Sequence, residues 1–246
     1  MFSNNTEEQL LELMKDNEEL LNLFRQYQQE MSFFLSRMTH DIKNPLTLMN
    51  SSLQLMEKKQ PSLTELPYWE SIKTDLKDLF SLLDQLRSFH YGDQLTLSYT
   101  DIAALLMELT ASFDAFAREK NARLTITLMN NCHPYVDNYL CDSVKLKEAL
   151  VNLIKNSVEA VEKEGLVSIV CSLKENSLTL AITNTGSTIE EEERTKIFTP
   201  FYTTKAGGTG LGLPTVHKII AAHKGQLRVD SLDNNTTFTI FLPIEK

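Results

Sequence analysis

Apolar residues recur alternately every three and four positions from Leu10 onward: Leu10, Leu13, Asn17, Leu20, Phe24, Tyr27, Met31, Phe34 and Met38. The run contains neither proline nor glycine, and its narrow stripe predicts a long helix in a coiled coil. Asn17 falls at a core position of that heptad, where a buried amide costs stability but sets register. The stripe continues past Pro45 through Leu46, Met49, Leu53 and Met56, then breaks at Gln60-Pro61, with Pro67 close behind. A second seam follows, built from Trp69, Ile72, Leu76, Leu79, Leu83 and Leu86, and it stops before Gly92. Two long helices joined by a short loop make an antiparallel hairpin. A hairpin with one apolar face on each helix buries those faces best against a second copy, so a dimeric four-helix bundle is expected.

After Gly92 the period changes. Leu95, Leu97 and Tyr99 alternate as a strand, Ile102 to Phe116 is helical, and Leu124, Ile126 and Leu128 alternate again. Asp142 is placed to cap a helix from Lys145 to Val161. Strands are expected over Leu166 to Leu173 and Leu178 to Thr183, joined by a Glu175-Asn176-Ser177 turn. A helix over Thr215 to Ala222 precedes two last strands, Gln226 to Val229 and Thr237 to Leu242. A mostly antiparallel sheet with helices on one face satisfies this order. The fold class is therefore α+β, with an N-terminal coiled-coil helix over 1–30, a helical hairpin over 31–91 and an α/β sandwich over 92–246.

Composition narrows the chemistry. The 246 residues are 42% hydrophobic and 23% charged, ordinary for a globular chain. A net charge of −9 argues against a broad nucleic-acid or anionic-membrane surface. No apolar run approaches the ~20 residues needed to span a bilayer, and Glu7, Glu8 and Glu12 stand where a signal peptide is basic and then apolar. Cys132, Cys141 and Cys171 are odd in number and lack metal-ligand spacing, which fits reduced thiols in a cytoplasmic protein.

Three clusters carry chemistry. His40 lies two residues beyond Met38, off the seam, so its ring faces solvent. Asn44 shares its helix face, Asp41 points about 100° away, and Pro45 is expected to kink the helix beside it. An outward imidazole with an amide and a carboxylate nearby has the makings of a nucleophile. Asn152 and Asn156 stand four apart on one helix face, and two asparagines inside a helix are poor helix formers kept for a polar task. Their side-chain carbonyls suit Mg²⁺. Gly207-Gly208-Thr209-Gly210-Leu211-Gly212-Leu213 runs into a helix, so its backbone N–H groups can approach a polyphosphate.

Taken together, these segments resemble the core of the two-component sensor histidine kinases over nearly everything from Met31 to Pro243. Ser36-Arg37-Met38-Thr39-His40-Asp41-Ile42-Lys43-Asn44-Pro45-Leu46 resembles the phosphoacceptor box and Asn152 to Ala160 the Asn box. Ile197-Phe198-Thr199-Pro200-Phe201-Tyr202-Thr203-Thr204-Lys205 resembles the Phe box, and Gly208 to Leu213 the second glycine box. The resemblance implies a Bergerat-type ATP-binding fold for the second domain. It implies a homodimer that autophosphorylates His40 from ATP and passes the group to an aspartate on a response regulator receiver domain. Asp41 would orient the imidazole, and Asn44 sits where phosphatase-active relatives position a water on the regulator. Asn156 with Asn152 would hold Mg²⁺. Asn184, Gly186, Phe198, Thr204, Lys205, Gly208, Thr209, Gly210, Leu211, Gly212 and Leu213 would surround the nucleotide.

The chain departs from the family pattern at three places. Glu159 stands where many relatives have lysine, which leaves Lys205 to supply charge. The first glycine box reads Asn184-Thr185-Gly186-Ser187-Thr188, with Asn in place of the adenine-binding Asp and Thr188 in place of a second Gly. A neutral acceptor is weaker than a carboxylate, so ATP binding weaker than a full box gives is expected. A hydrolytic ATPase of the same fold would need a glutamate where Asn152 stands. The alternative from another class is a degenerate dimeric scaffold or phosphatase that docks a response regulator without efficient ATP use.

Overall fold

The computed structural model describes residues 17–162, 164–186, 188–205 and 207–244. The chain divides between Tyr91 and Gly92 into two compact units. The seam positions Leu10 and Leu13 lie outside the described residues.

The first unit is a helical hairpin. Helix α1 (Glu18–Lys59) runs unbroken through Pro45 and is followed by a 3-10 turn (Pro61–Glu65) and helix α2 (Trp69–His90). Asn17 precedes the first turn, is exposed in the single chain, and its Oδ1 accepts the N–H of Leu20 at 3.1 Å, so it works as a helix cap. Pro45 cannot donate to the Asp41 carbonyl, yet it does not end the helix, because the flanking turns keep their apolar contacts across the hairpin. Leu46, Leu76 and Leu83 form the buried contact between the helices, with Leu53 and Phe80 against them. Each such leucine contributes about 1.5–3 kcal/mol relative to exposure. Lys43 reaches Asp84 at 2.9 Å and Lys73 reaches Glu57 at 3.0 Å, fixing the register of the two helices. The alternate seam residues, Met49, Met56, Ile72 and Leu79, remain exposed.

The second unit is an α/β sandwich. Its elements are β1 (Ser98–Thr100), α3 (Ile102–Glu119), β2 (Arg123–Leu128), a one-turn α4 (His133–Val136), β3 (Tyr139–Cys141), α5 (Ser143–Ala160), β4 (Leu166–Lys174), β5 (Ser177–Thr185), α6 (Gly212–Ala222), β6 (Gln226–Leu232) and β7 (Asn235–Pro243). Strands β2-β4-β5-β7-β6 form one sheet in that order. β2 pairs parallel with β4, and every other pair in the sheet is antiparallel. β1 and β3 make a separate two-stranded ribbon. The β4–β5 turn has Glu175 and Asn176 at φ 47° and 64°, and the β6–β7 turn has Asp233 and Asn234 at 49° and 58°. Both are two-residue hairpins whose positive φ values match the strand twist.

Alternation along the strands buries Val167, Ile169 and Cys171 on β4, Leu178, Leu180 and Ile182 on β5, and Phe238, Ile240 and Leu242 on β7. The apolar faces of α3, α5 and α6 complete one continuous core. The three cysteines are free and buried, and burial pushes the thiols of Cys141 and Cys171 up, so neither is a reactive thiolate.

Asp142 caps α5. Its Oδ1 accepts from the N–H of Lys145 at 2.9 Å and its Oδ2 from that of Thr96 at 2.7 Å, which ties the segment before β1 to the helix. Desolvation pushes this carboxyl up, but the backbone N–H groups of Lys145, Thr96 and Val144, with His223, outweigh it and hold it below the usual range. A carboxyl depressed on folding stabilises the fold above its unfolded value, about 3.9, and loses that contribution as pH falls through the folded value. Thermal unfolding between pH 3 and pH 6 is expected to be less steeply pH-dependent in Asp142→Asn than in the wild type, since asparagine keeps the cap but not the charge. Identical slopes would show that the carboxylate contributes nothing to acid stability.

Candidate nucleotide and phosphoacceptor sites

In the hairpin, His40 carries the candidate nucleophile. Its side chain is 72% exposed. Asp41 Oδ1 and Asn44 Nδ2 each lie 3.4 Å from Nδ1. The expectation from helix geometry kept Asp41 away from the ring, and the structure corrects it: the carboxylate swings back along the helix to reach Nδ1, with Arg37 at 3.8 Å from its other oxygen. Both contacts are long, and one nitrogen cannot serve both at once as donor and acceptor. When Nδ1–H faces Asp41, Nε2 carries the lone pair and points away from both neighbours. Thr39, next to His40, is buried and bonds the Leu35 carbonyl at 2.8 Å, so adjacent positions face opposite sides of the helix.

In the sandwich, α5 and α6 lie antiparallel, bonded at one end and closely approached at the other. At one end the Asp142 N–H donates to Nε2 of buried His223 at 3.0 Å, while His223 Nδ1–H donates to the Ile219 carbonyl at 2.8 Å. At the other end Gly212, the first residue of α6, faces Asn152: a Cβ there would stand 3.2 Å from Asn152 Oδ1 and 4.0 Å from Asn156 Nδ2. Asn152 lies ten residues beyond Asp142 and His223 eleven beyond Gly212, roughly 15 and 16.5 Å at 1.5 Å per residue. The two clasps therefore match in length. They set the glycine-rich entry to α6 against the two asparagines.

Asn152 Nδ2 donates to the Glu148 carbonyl at 3.1 Å, which turns its Oδ1 outward. Asn156 Oδ1 accepts from Lys205 Nζ at 3.2 Å, and the same ammonium lies 2.6 Å from Glu159 Oε2. The side-chain carbonyl of Asn156 is thus held by a cation. These oxygens are the donor set that a hard divalent ion prefers; among the described residues no cluster of three His, Cys, Asp or Glu could hold a metal. The glycine cradle is tight. Gly210, at φ 67°, packs its Cα side against the backbone of Phe201, and Phe201 N–H bonds the Gly210 carbonyl at 3.0 Å. Phe201 itself sits at φ 66° and is exposed. Gly208 packs on Thr203 Oγ1, Thr209 Oγ1 accepts from the Leu211 N–H, and Leu211 is buried. Thr204 is exposed beside Lys205, Leu213 packs on the core, and Phe198 meets the His217 ring at 5.7 Å.

Gly186 has φ 129°, and a Cβ there would lie 2.3 Å from the Ala160 carbonyl, so the end of β5 abuts the end of α5. Asn184, two residues earlier, is buried at the same end. The structure adds residues that the motifs did not flag. Thr236 on β7 pairs with Asn184, Ser231 on β6 pairs with Thr236, and both are buried. Ser157 on α5 is buried as well. Their signal in the sequence was faint: each is a small polar residue interrupting an apolar alternation.

His223→Ala leaves the buried Asp142 N–H without an acceptor, and an unfolding free energy lower by about 2 kcal/mol is expected in denaturant titration. A loss below half that would mean the clasp is dispensable.

The phospho-acceptor domain of the histidine kinases matches residues 30–94, and the histidine kinase-, DNA gyrase B- and HSP90-like ATPase domain matches residues 141–246. The chain is 28% identical over 209 residues to sporulation kinase C of Bacillus subtilis (84% of this chain, 47% of that protein). It is 30% identical over 210 residues to the sensor histidine kinase ZraS of Escherichia coli K12 (83% and 44%). It spans about half the length of these curated relatives. Among solved structures it resembles histidine kinase ThkA in complex with the response regulator TrrA, with a TM-score of 0.63 and 25% identity over 95% of this chain and 67% of that one. Full-length ShkA in complex with AMPPNP shares the fold, with a TM-score of 0.74 and 24% identity over 85% of this chain and 45% of that one. With an exposed histidine in the phospho-acceptor segment and a glycine-lined asparagine helix in the ATPase segment, the chain carries the two domains that make up the core of the two-component histidine kinases.

Proposed function

We propose that the chain is an ATP-dependent protein-histidine kinase core that autophosphorylates His40 and passes the phosphoryl group to an aspartate of a response regulator. The observation that carries this reading is the imidazole of His40, 72% exposed and flanked at Nδ1 by Asp41 and Asn44, in a chain that also holds the ATPase fold. Asp41 orients the ring by taking Nδ1–H, which leaves Nε2 as the nucleophile toward the γ-phosphorus of ATP. The bond from Nε2 to phosphorus forms as the bond to the β–γ bridging oxygen breaks, and ADP leaves. Phosphoryl transfer asks mainly for positioning and charge neutralisation.

The ATPase unit supplies both. Backbone N–H groups of Thr209, Gly210 and Gly212 would donate to phosphate oxygens, with the start of α6 behind them, while those of Gly208 and Leu211 are engaged by the Lys205 carbonyl and Thr209 Oγ1. Asn156 and Asn152 would hold Mg²⁺, which supplies charge neutralisation between the phosphates. Lys205 has to leave Asn156 Oδ1 for that to happen, and its ammonium is then available to a phosphate. The base lies at the Asn184 and Gly186 end of the site. The exposed Asn44 amide beside His40 also supports a regulator-dephosphorylating role, and the solved complex of ThkA with its regulator supports a receiver-domain partner.

The three-part organisation, with a helical extension over 1–30, a phosphotransfer hairpin over 31–91 and an ATP-binding unit over 92–246, follows from the same reading. So does a homodimer: Met49, Met56, Ile72 and Leu79 leave a second apolar face on the hairpin, which pairing would remove from water. Incubation with labelled ATP and Mg²⁺ is expected to mark the wild type and not His40→Gln; label on neither protein would favour the scaffold or phosphatase reading. Leu79→Asp is expected to shift the chain from dimer to monomer in sedimentation velocity, and an unchanged sedimentation coefficient would place the interface elsewhere.

A further inference from the structure

The sandwich is apolar layer by layer until its last row. Along the sheet, Leu180 pairs with Ile240, which pairs with Leu227, and Ile182 pairs with Phe238, which pairs with Val229. One step on, the row becomes Asn184, Thr236 and Ser231, all at most 2% exposed. Ser231 and Thr236 are occupied with each other at 2.7 Å, and Ser231 Oγ also accepts the Ile189 N–H at 2.8 Å. Among the described residues Asn184 makes one long contact, from Nδ2 to the Thr185 carbonyl at 3.4 Å. The helix packed over this sheet turns polar at the same end. Ser157 follows the apolar row of Leu146, Leu150, Leu153 and Ile154, one turn before the Ala160 carbonyl that Gly186 abuts.

Ser157 is fully buried and its Oγ has no hydrogen-bond partner among the described residues. Six other helical hydroxyls in this chain use the local carbonyl. Thr39, Thr47, Thr74, Thr110, Ser112 and Thr215 all bond a carbonyl three or four residues back in their helices. A buried hydroxyl left without a partner costs free energy, and one that forgoes the local carbonyl is placed for something else.

We infer that the base of the nucleotide is read by two neutral groups, the Asn184 amide and the Ser157 hydroxyl, and that the site accepts 6-oxopurine as well as 6-aminopurine triphosphates. This inference rests on the nucleotide site proposed above. A carboxylate in place of Asn184 could only accept hydrogen bonds, so it would take the 6-amino group of adenine and repel a 6-oxo group. The amide offers a carbonyl to a 6-amino group in one orientation and an N–H to a 6-oxo group in the other. The hydroxyl rotates in the same way, donating to the unprotonated N1 of adenine or accepting from the N1–H of hypoxanthine. Discrimination by hydrogen bonding is strong only when the wrong base leaves a buried group unpaired, and here both groups can reverse. A buried orphan hydroxyl in the free protein becomes satisfied on binding.

The test is calorimetric titration of the full chain with Mg-ATP and Mg-ITP, hypoxanthine lacking the extra 2-amino group of guanine. The wild type is expected to bind ITP within tenfold of ATP. Asn184→Asp is expected to tighten ATP and weaken ITP, spreading the ratio at least tenfold further. Ser157→Ala is expected to weaken both nucleotides about fivefold or more while the free protein melts no lower than the wild type. A merely structural serine would move the melting temperature and not the affinities. A wild type that prefers ATP by more than tenfold, or a Ser157→Ala variant with unchanged affinities, overturns the inference and leaves the kinase reading standing. No binding of either nucleotide would instead overturn the nucleotide site itself.

Discussion

The antiparallel clasp between α5 and α6 is the constraint on which the ATPase unit depends. α5 contributes Leu146, Leu150, Leu153, Ile154 and Val158 to the core, and α6 contributes Val216, Ile219 and Ile220. Apolar packing of this kind is strong but non-directional and would tolerate sliding. The hydrogen bond from Asp142 to His223 is directional, and it acts at a point where a lost partner would leave a buried N–H unpaired. It sets the axial register. With the register set, Gly212 arrives opposite Asn152, where a Cβ would crowd the amide oxygen at 3.2 Å.

The second principle of the site is that its polar groups sit at the ends of apolar rows. Asn152, Asn156 and Ser157 occupy the last turns of a helix whose core face is otherwise hydrophobic, and Asn184 ends a strand row of Leu178, Leu180 and Ile182. The core holds the polar groups in place and keeps water from competing for them. Small residues around them, such as Gly186 against the Ala160 carbonyl, allow backbone segments to approach where a side chain would intervene.

Charge in the site is arranged for exchange. Glu159 would leave the neighbourhood of the phosphates repulsive to a triphosphate, and Lys205 offsets it by lying between Glu159 and Asn156. Both side chains remain partly solvated, so the pair is screened and cheap to open. On the nucleotide reading proposed above, a lysine on the glycine-rich segment would guard the asparagine in one state and meet a phosphate in another without a large barrier.

Much of this was legible in the chain itself. Periods of 3.5 and 2 separate the hairpin from the sandwich, the Glu175-Asn176 turn announces its hairpin, and the phosphoacceptor, Asn, Phe and glycine segments stand in order. His40 could be read as outward because it lies two residues off a seam, which is a local property of a helix. Other features needed the folded chain. Asn17 became a cap because the helix starts one residue later, and Asp41 reached His40 through a rotamer that spacing does not specify. The parallel pairing of β2 with β4, the bond from Asp142 to His223, the seat of Lys205 on Asn156 and the orphaned Ser157 hydroxyl join residues with no common local pattern. Periodicity records which face of an element is buried, because burial is averaged over many residues. Which atom meets which depends on the register between elements, and that is decided only when the whole core packs.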